Sequence, residues 1–194
     1  KQVFDQVIEE GEFPLFSNSY LLLIGKKPQT VYAKFSNDRA KAWAIRTLIH
    51  KSVAGTLLVE KQPNDKDANA HIVHTYQAYE ALSKRYEGTK IRMNECKRTP
   101  QSIVFPFCPG KTLEELLDER LDEQDAEGFR KLIEEYMHWL SYNEEANVSN
   151  IDFIFPNILV DGDTWHVIDY EWTFDRTVPA KDIAFRAFYN YLLG

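Results

Sequence analysis

Cysteine is nearly absent from this chain. The two present, Cys96 and Cys108, show neither the spacing of a zinc site nor the numbers of a secreted disulfide framework. Both are expected as reduced thiols in a cytoplasmic protein. No apolar run approaches the roughly 20 residues that span a bilayer, and no signal peptide opens the sequence. Basic charge is in deficit: 23 Lys and Arg face 30 Asp and Glu, a net charge of −7 that argues against a nucleic-acid groove. Internal repeats and low-complexity tracts are missing too. The first residue is Lys rather than Met, which suggests a segment of something longer.

What is present is ordinary for a globular protein: 44% hydrophobic and 27% charged residues in 194, enough for one core or two small lobes. The first half is rich in short apolar or β-branched runs broken by turn residues: SYLLLIG (19–25), TVYAKFS (30–36), AIRTLIHK (44–51) and GTLLVEK (55–61). After Pro63 the pattern turns helical, with Asn64 or Asp67 as candidate cap, Ile72, Val73, Tyr76 and Tyr79 at helical spacing, and Gly88 as the stop. KIRMNECK (90–97) and SIVFPF (102–107) read as two more strands before the breaker pair Pro109-Gly110.

The second half is mostly helical. TLEELLDERL (112–121) sets Leu113, Leu116, Leu117 and Leu121 on one face, with Thr112 and Glu115 spaced as a capping box. Phe129, Leu132, Ile133, Tyr136, Met137 and Leu140 make a second stripe. A hairpin follows, IFPNILV and TWHVIDY around the turn DGD, and AKDIAFRAFYNYLL reads as a last helix. His71 and His74 form H-x-x-H without a third ligand and are read as structural.

The hairpin gathers oxygen donors at one end: Asp152, Asn157 and Asp169. An Asp, four residues, an Asn, a short hairpin and a second Asp form a signature, here D152-FIFP-N157, ILVDGDTWHVI, D169. With the element order, it resembles the protein-kinase-like superfamily, in its aminoglycoside phosphotransferase and choline kinase branch, over residues 30–190. The resemblance implies an α+β, two-lobed fold: a small antiparallel sheet lobe with one helix (30–107) and a reduced helical lobe (108–194), after an N-terminal extension (1–29). It implies an ATP- and Mg-dependent phosphotransferase acting on a hydroxyl. Asn157 and Asp169 would be the metal ligands, since Mg²⁺ takes hard oxygen donors. Asp152 would orient the acceptor hydroxyl and take its proton, because phosphoryl transfer needs positioning and charge neutralisation more than covalent help.

The same resemblance gives roles to other residues. Lys61, at the end of TLLVEK, would bind nucleotide phosphates, held by Glu80 on the inward face of the next helix. Lys34 in VYAK comes too early in the strand order for that role. The loop SNDRAKAW (36–43) offers Ser36, Asn37 and Arg39 as phosphate contacts. Phe107 and Cys108 offer hinge backbone to adenine, since Pro106 has no N–H. In PAKDIA (179–184), Asp182 would brace the helical lobe.

Three departures favour an alternative, a catalytically inactive kinase-like module that binds nucleotide or a partner and regulates a fused enzyme. The family's histidine two residues before the first Asp is Asn150, the loop 36–43 has no glycine, and the helices after Asp169 are shortened. The segment FDQVIEEGEFPLFSNSYLLLIGK resembles the closing helix–strand pair of a methyltransferase domain. A methyltransferase joined to a kinase resembles enzymes that cap polysaccharides, so the acceptor is expected to be a small molecule or glycan.

Overall fold

Alternation of side chains along short β-branched strands builds the first half. The structure, a computed structural model, describes residues 29–36 and 38–193. The expected methyltransferase tail lies outside them, apart from Gln29, which opens β1. The protein is α+β, with an antiparallel sheet and several helices, in two units. One takes the described residues up to Ile72 with Lys97–Phe107; the other takes Val73–Cys96 with the described residues from Cys108 on.

The first unit is an antiparallel sheet in the order β1-β2-β3-β6-β5, from β1 (Gln29–Phe35), β2 (Ile45–Lys51), β3 (Leu57–Pro63), β5 (Lys97–Arg98) and β6 (Ile103–Pro106). Its register sorts the side chains. Tyr32, Ile49, Val59 and Phe105 pair across four strands, and Lys34, Thr47, Lys61 and Ile103 form the next row on the same face. The opposite face is mixed, with Leu48, Leu58 and Val104 among polar pairs: Glu60 Oε2 lies 2.9 Å from His50 Nε2, and Arg46 Nε donates to Gln62 Oε1 at 2.7 Å. Gly55, at φ +86°, closes the β2–β3 turn in a conformation that L side chains rarely adopt.

The helix expected after Pro63 is α1 (Asn69–Arg85), entered through a 3₁₀ turn, Lys66–Ala68. That turn is capped by Asp65, not by Asn64 or Asp67: its side chain accepts from Asp67 N–H at 3.0 Å. Gly88 follows the helix at φ +77°, as its position predicts.

KIRMNECK is not one strand of the first sheet. Its front half, β4 (Ile91–Met93), pairs in parallel with the hairpin of the second unit, Ile91 opposite Trp165 and Met93 opposite Val167. Its last residue joins Arg98 in β5, which pairs with β6. Ile91 and Met93 are buried and Arg92 is exposed, so the apolar side of β4 is used within the second unit.

That unit holds the sheet β4-β10-β9-β7, with β7 (Lys111–Thr112), β9 (Ile158–Asp161) and β10 (Thr164–Val167), and the short pair β8 (Ser149–Asn150) and β11 (Thr173–Phe174). Its further helices are α2 (Leu113–Asp122), α3 (Ala126–Leu140) and α4 (Ala180–Leu193). Thr112 and Glu115 complete the capping box. The α3 stripe is buried at Tyr136 and Leu140.

Arg85 fastens the end of α3. Buried at 4% exposure, it donates to the carbonyls of Leu140 (2.9 Å), Tyr142 (2.9 Å) and Val148 (2.7 Å). Carbonyls at a helix C-terminus have no intrahelical donor and favour a cation. Arg85→Met is expected to leave them unsatisfied and to destabilise the fold by about 3 kcal/mol. Melting should then fall by roughly 6–12 °C in a chain of this size. A melting temperature equal to wild type would show that water replaces the guanidinium.

Candidate active site

The motif D152-FIFP-N157 is anchored by its two phenylalanines. Phe153 stacks with Tyr86 (6.0 Å) and Tyr136 (5.9 Å), and Phe155 meets Tyr136 edge-on at 4.8 Å; both are buried. Tyr136 OH also donates to Phe153 O at 2.8 Å. These contacts fix the loop on either side of the polar residues it carries.

Asp152 is held at three points. Its N–H donates to Asn150 Oδ1 (2.9 Å), its carbonyl accepts from Asn157 Nδ2 (3.0 Å), and its Oδ1 accepts from Arg186 Nη2 (2.7 Å). Burial pushes the Asp152 carboxyl above its usual range. The charges of Asp169 and Glu171 add to this, and the Arg186 guanidinium pulls against it. Asn150 thus braces the loop where the resemblance expects histidine. Its Oδ1 is committed to Asp152, and its buried Nδ2 has no partner among the described residues.

Hairpin register brings the second donor pair to one end. Ile158 opposes Val167, Ile168 N–H donates to Asn157 O at 2.9 Å, and Asp169 follows directly. Gly162, at φ +55°, forms the turn at the far end. Asp169 itself sits at φ +54°, left-handed backbone that Asp and Asn tolerate better than other side chains. Tyr170 OH donates to Asn94 O at 2.7 Å, and Thr173 Oγ1 donates to Tyr170 O at 2.7 Å, so the residues after Asp169 are tied down. Among the described residues no group of three or more His, Cys, Asp or Glu is arranged to hold a metal ion. Asn157 and Asp169 offer one amide and one carboxylate at this end of the hairpin.

His74 is bonded to the backbone of the second unit. Its Nε2 lies 2.7 Å from Thr173 O, and a carbonyl only accepts, so Nε2 carries the hydrogen.

The residues to which the resemblance gives nucleotide roles lie in several places. Lys61 is buried in the sheet of the first unit, on the row Lys34–Thr47–Lys61–Ile103. Lys34 is on β1, as its place in the sequence requires, and is exposed. Glu80 does not face inward. It is exposed, and its carboxylate hydrogen-bonds Tyr76, raising the phenol's pKa. The buried stripe of α1 runs through His71, Ile72, Thr75, Ala78, Leu82 and Arg85, which leaves position 80 on the other side.

Ser36 uses both donors on one acceptor: its N–H and its hydroxyl each lie 3.0 Å from Ile45 O. That closes the loop and engages both Ser36 donors within the sheet unit. Arg39 N–H donates to Ser36 O at 3.5 Å, and Asn37 lies outside the described residues. Phe107 N–H donates to Leu57 O at 3.3 Å, so it extends the sheet instead of offering itself as a hinge donor. The Cys108 amide is the donor that remains of that pair. The boundary between the two units falls between these residues.

Two charged side chains act on Asp152 and carry no role in the reading of the sequence. Glu171 is buried at 3% exposure, two residues after Asp169. Arg186 is the single charged residue in the run AFRAFYNYLL, and that isolation was the available signal.

No family model matches the chain, and no curated protein matches it. Among solved structures, it is similar to the apoenzyme of a macrolide 2′-phosphotransferase from Brachybacterium faecium. The identity is 12% over 98% of this chain and 82% of that one, with a TM-score of 0.43. A likeness of that degree leaves the residues themselves to carry the function.

Proposed function

We propose that this chain transfers the γ-phosphoryl group of ATP to a hydroxyl of a small molecule or saccharide. The observation that carries the reading is the end of the hairpin. There Asp152, buried and held at three points, shares a loop with Asn157, and the charge of Asp169 acts on it. That set fits Mg²⁺: Asn157 commits its amide nitrogen to Asp152 O, leaving its oxygen as donor, and Asp169 supplies the carboxylate. The ion would neutralise charge on the phosphates. Asp152 orients the acceptor hydroxyl and takes its proton. Lys61 pairs with a nucleotide phosphate, and the Cys108 amide faces the adenine edge.

Two cysteines with no disulfide suit a reducing, cytoplasmic compartment. No helix among the described residues is long and apolar enough to cross a membrane.

Mg²⁺ is expected to raise ATP affinity in the wild type, and Asp169→Asn to remove that gain with little change in melting temperature. Asn keeps the left-handed backbone while losing the charge. Asp169→Ala should remove the same gain and also destabilise, by about 1–2 kcal/mol, because alanine fits φ +54° poorly. Titration of ATP with and without Mg²⁺ checks this; equal wild-type affinities would sink the metal site. The second reading, an inactive module, draws on the engaged donors of Ser36 and Phe107. Nucleotide binding without turnover would favour it.

A further inference from the structure

The motif D152-FIFP-N157 contains no basic side chain, yet Asp152 has a cationic partner 34 residues later in the sequence, Arg186 on α4. The contact is built by the packing of that helix. Phe188 and Tyr191 meet the buried Phe155 edge-on at 5.3 and 5.6 Å, and Tyr191 OH donates to Asp118 Oδ1 at 2.7 Å. Ile183, Ala184 and Ala187 are buried. Rings that fix the loop after Asp152 therefore also fix the register of α4, and Arg186 lies beside that buried stripe.

The pair is asymmetric. The Asp152 side chain is 11% exposed and that of Arg186 47%. One guanidinium nitrogen meets one carboxylate oxygen, Oδ1, at 2.7 Å, and Oδ2 has no protein partner among the described residues. With the backbone of Asp152 held by Asn150 and Asn157, the remaining freedom is rotation of the carboxylate, and Arg186 removes it.

We propose that Arg186 is the positioning residue of Asp152: by holding Oδ1 it aims Oδ2 at the acceptor hydroxyl. This rests on the phosphotransfer reading above. As the acceptor oxygen bonds to the γ-phosphorus, its proton passes to Oδ2. The bond from the γ-phosphorus to the bridging oxygen breaks, and ADP leaves with that electron pair. A half-exposed ion pair adds little to fold stability, so a purely structural Arg186 would leave the chemistry unchanged.

Hydrolysis of Mg·ATP, with water as acceptor, is the probe. It is measured for wild type, Arg186→Met, Arg186→Lys, Asp152→Asn and the double variant Asp152→Asn/Arg186→Met. Arg186→Met is expected to lower kcat about tenfold or more, since small misplacements of a catalytic group reach 10²-fold, with KM for Mg·ATP unchanged. Arg186→Lys should recover part of the loss. In the Asp152→Asn background the effect of Arg186→Met should vanish, because it acts through the carboxylate. Equal kcat for wild type and Arg186→Met overturns the proposal. So does a loss that persists in full without the carboxylate, or one confined to KM. A wild type that hydrolyses no ATP removes the phosphotransfer reading and this inference with it; an active wild type matched by Arg186→Met removes the inference alone.

Discussion

Asp152→Asn is expected to lower phosphoryl transfer by about 10²–10⁴-fold, the usual contribution of a general base, while Mg·ATP binding survives. The substitution changes little else. The contacts to Asn150 and Asn157 use the backbone of Asp152 and remain, and an amide oxygen still accepts from Arg186. What disappears is the capacity to accept a proton. It also removes a buried charge that faces Asp169 and Glu171, so the fold should not weaken and melting may be compared directly. Rapid-quench turnover with any accepted hydroxyl, alongside calorimetry of Mg·ATP binding, separates the two effects. Turnover equal to wild type would take Asp152 out of the chemistry; loss of nucleotide binding as well would place it among the phosphate ligands instead.

Local rules made part of this readable in advance. A two-residue turn between apolar runs sets its own register, so the hairpin and the convergence of Asn157 with Asp169 at one end follow from short-range patterning. The capping box at Thr112 and Glu115 and the glycine after α1 are equally local. Pairings over long separations were not readable. β4 joins β10, more than 70 residues away, and nothing within KIRMNECK distinguishes that partner from the strand that follows it. The orientation of α1 failed for a different reason. Its buried face includes the polar His71, Thr75 and Arg85, which a count of apolar residues assigns to solvent. Placing Glu80 on the inward face rotates the helix, and Glu80 lies exposed beside Tyr76. Arg186 escaped because its partner is fixed by aromatic packing between α4 and Phe155, not by spacing.

Lys61→Met should weaken Mg·ATP binding by roughly 10–150-fold, the loss of one charge-assisted hydrogen bond to phosphate, about 1.5–3 kcal/mol. The sheet of the first unit should stay folded. Lys61 is 9% exposed, in a row between Thr47 and Ile103 and next to the apolar row of Ile49, Val59 and Phe105. Methionine fills that space with a stem of similar volume and no buried charge to satisfy. Lys34→Met is the control. Register puts Lys34 on the same face, two strands over and so roughly 10 Å away, but it is exposed at the outer strand of the sheet. An exposed lysine there adds only a screened, long-range attraction, so Lys34→Met should leave affinity near wild type at physiological salt. Glu80→Gln should likewise leave affinity near wild type, since the Glu80 carboxylate is exposed and bonded to Tyr76. Thermal shift with and without Mg·ATP reads all three variants. A shift abolished by Lys34→Met and kept by Lys61→Met would move the phosphates to the β1 edge of the sheet. A large loss with Glu80→Gln would show that this glutamate does orient Lys61 when nucleotide binds.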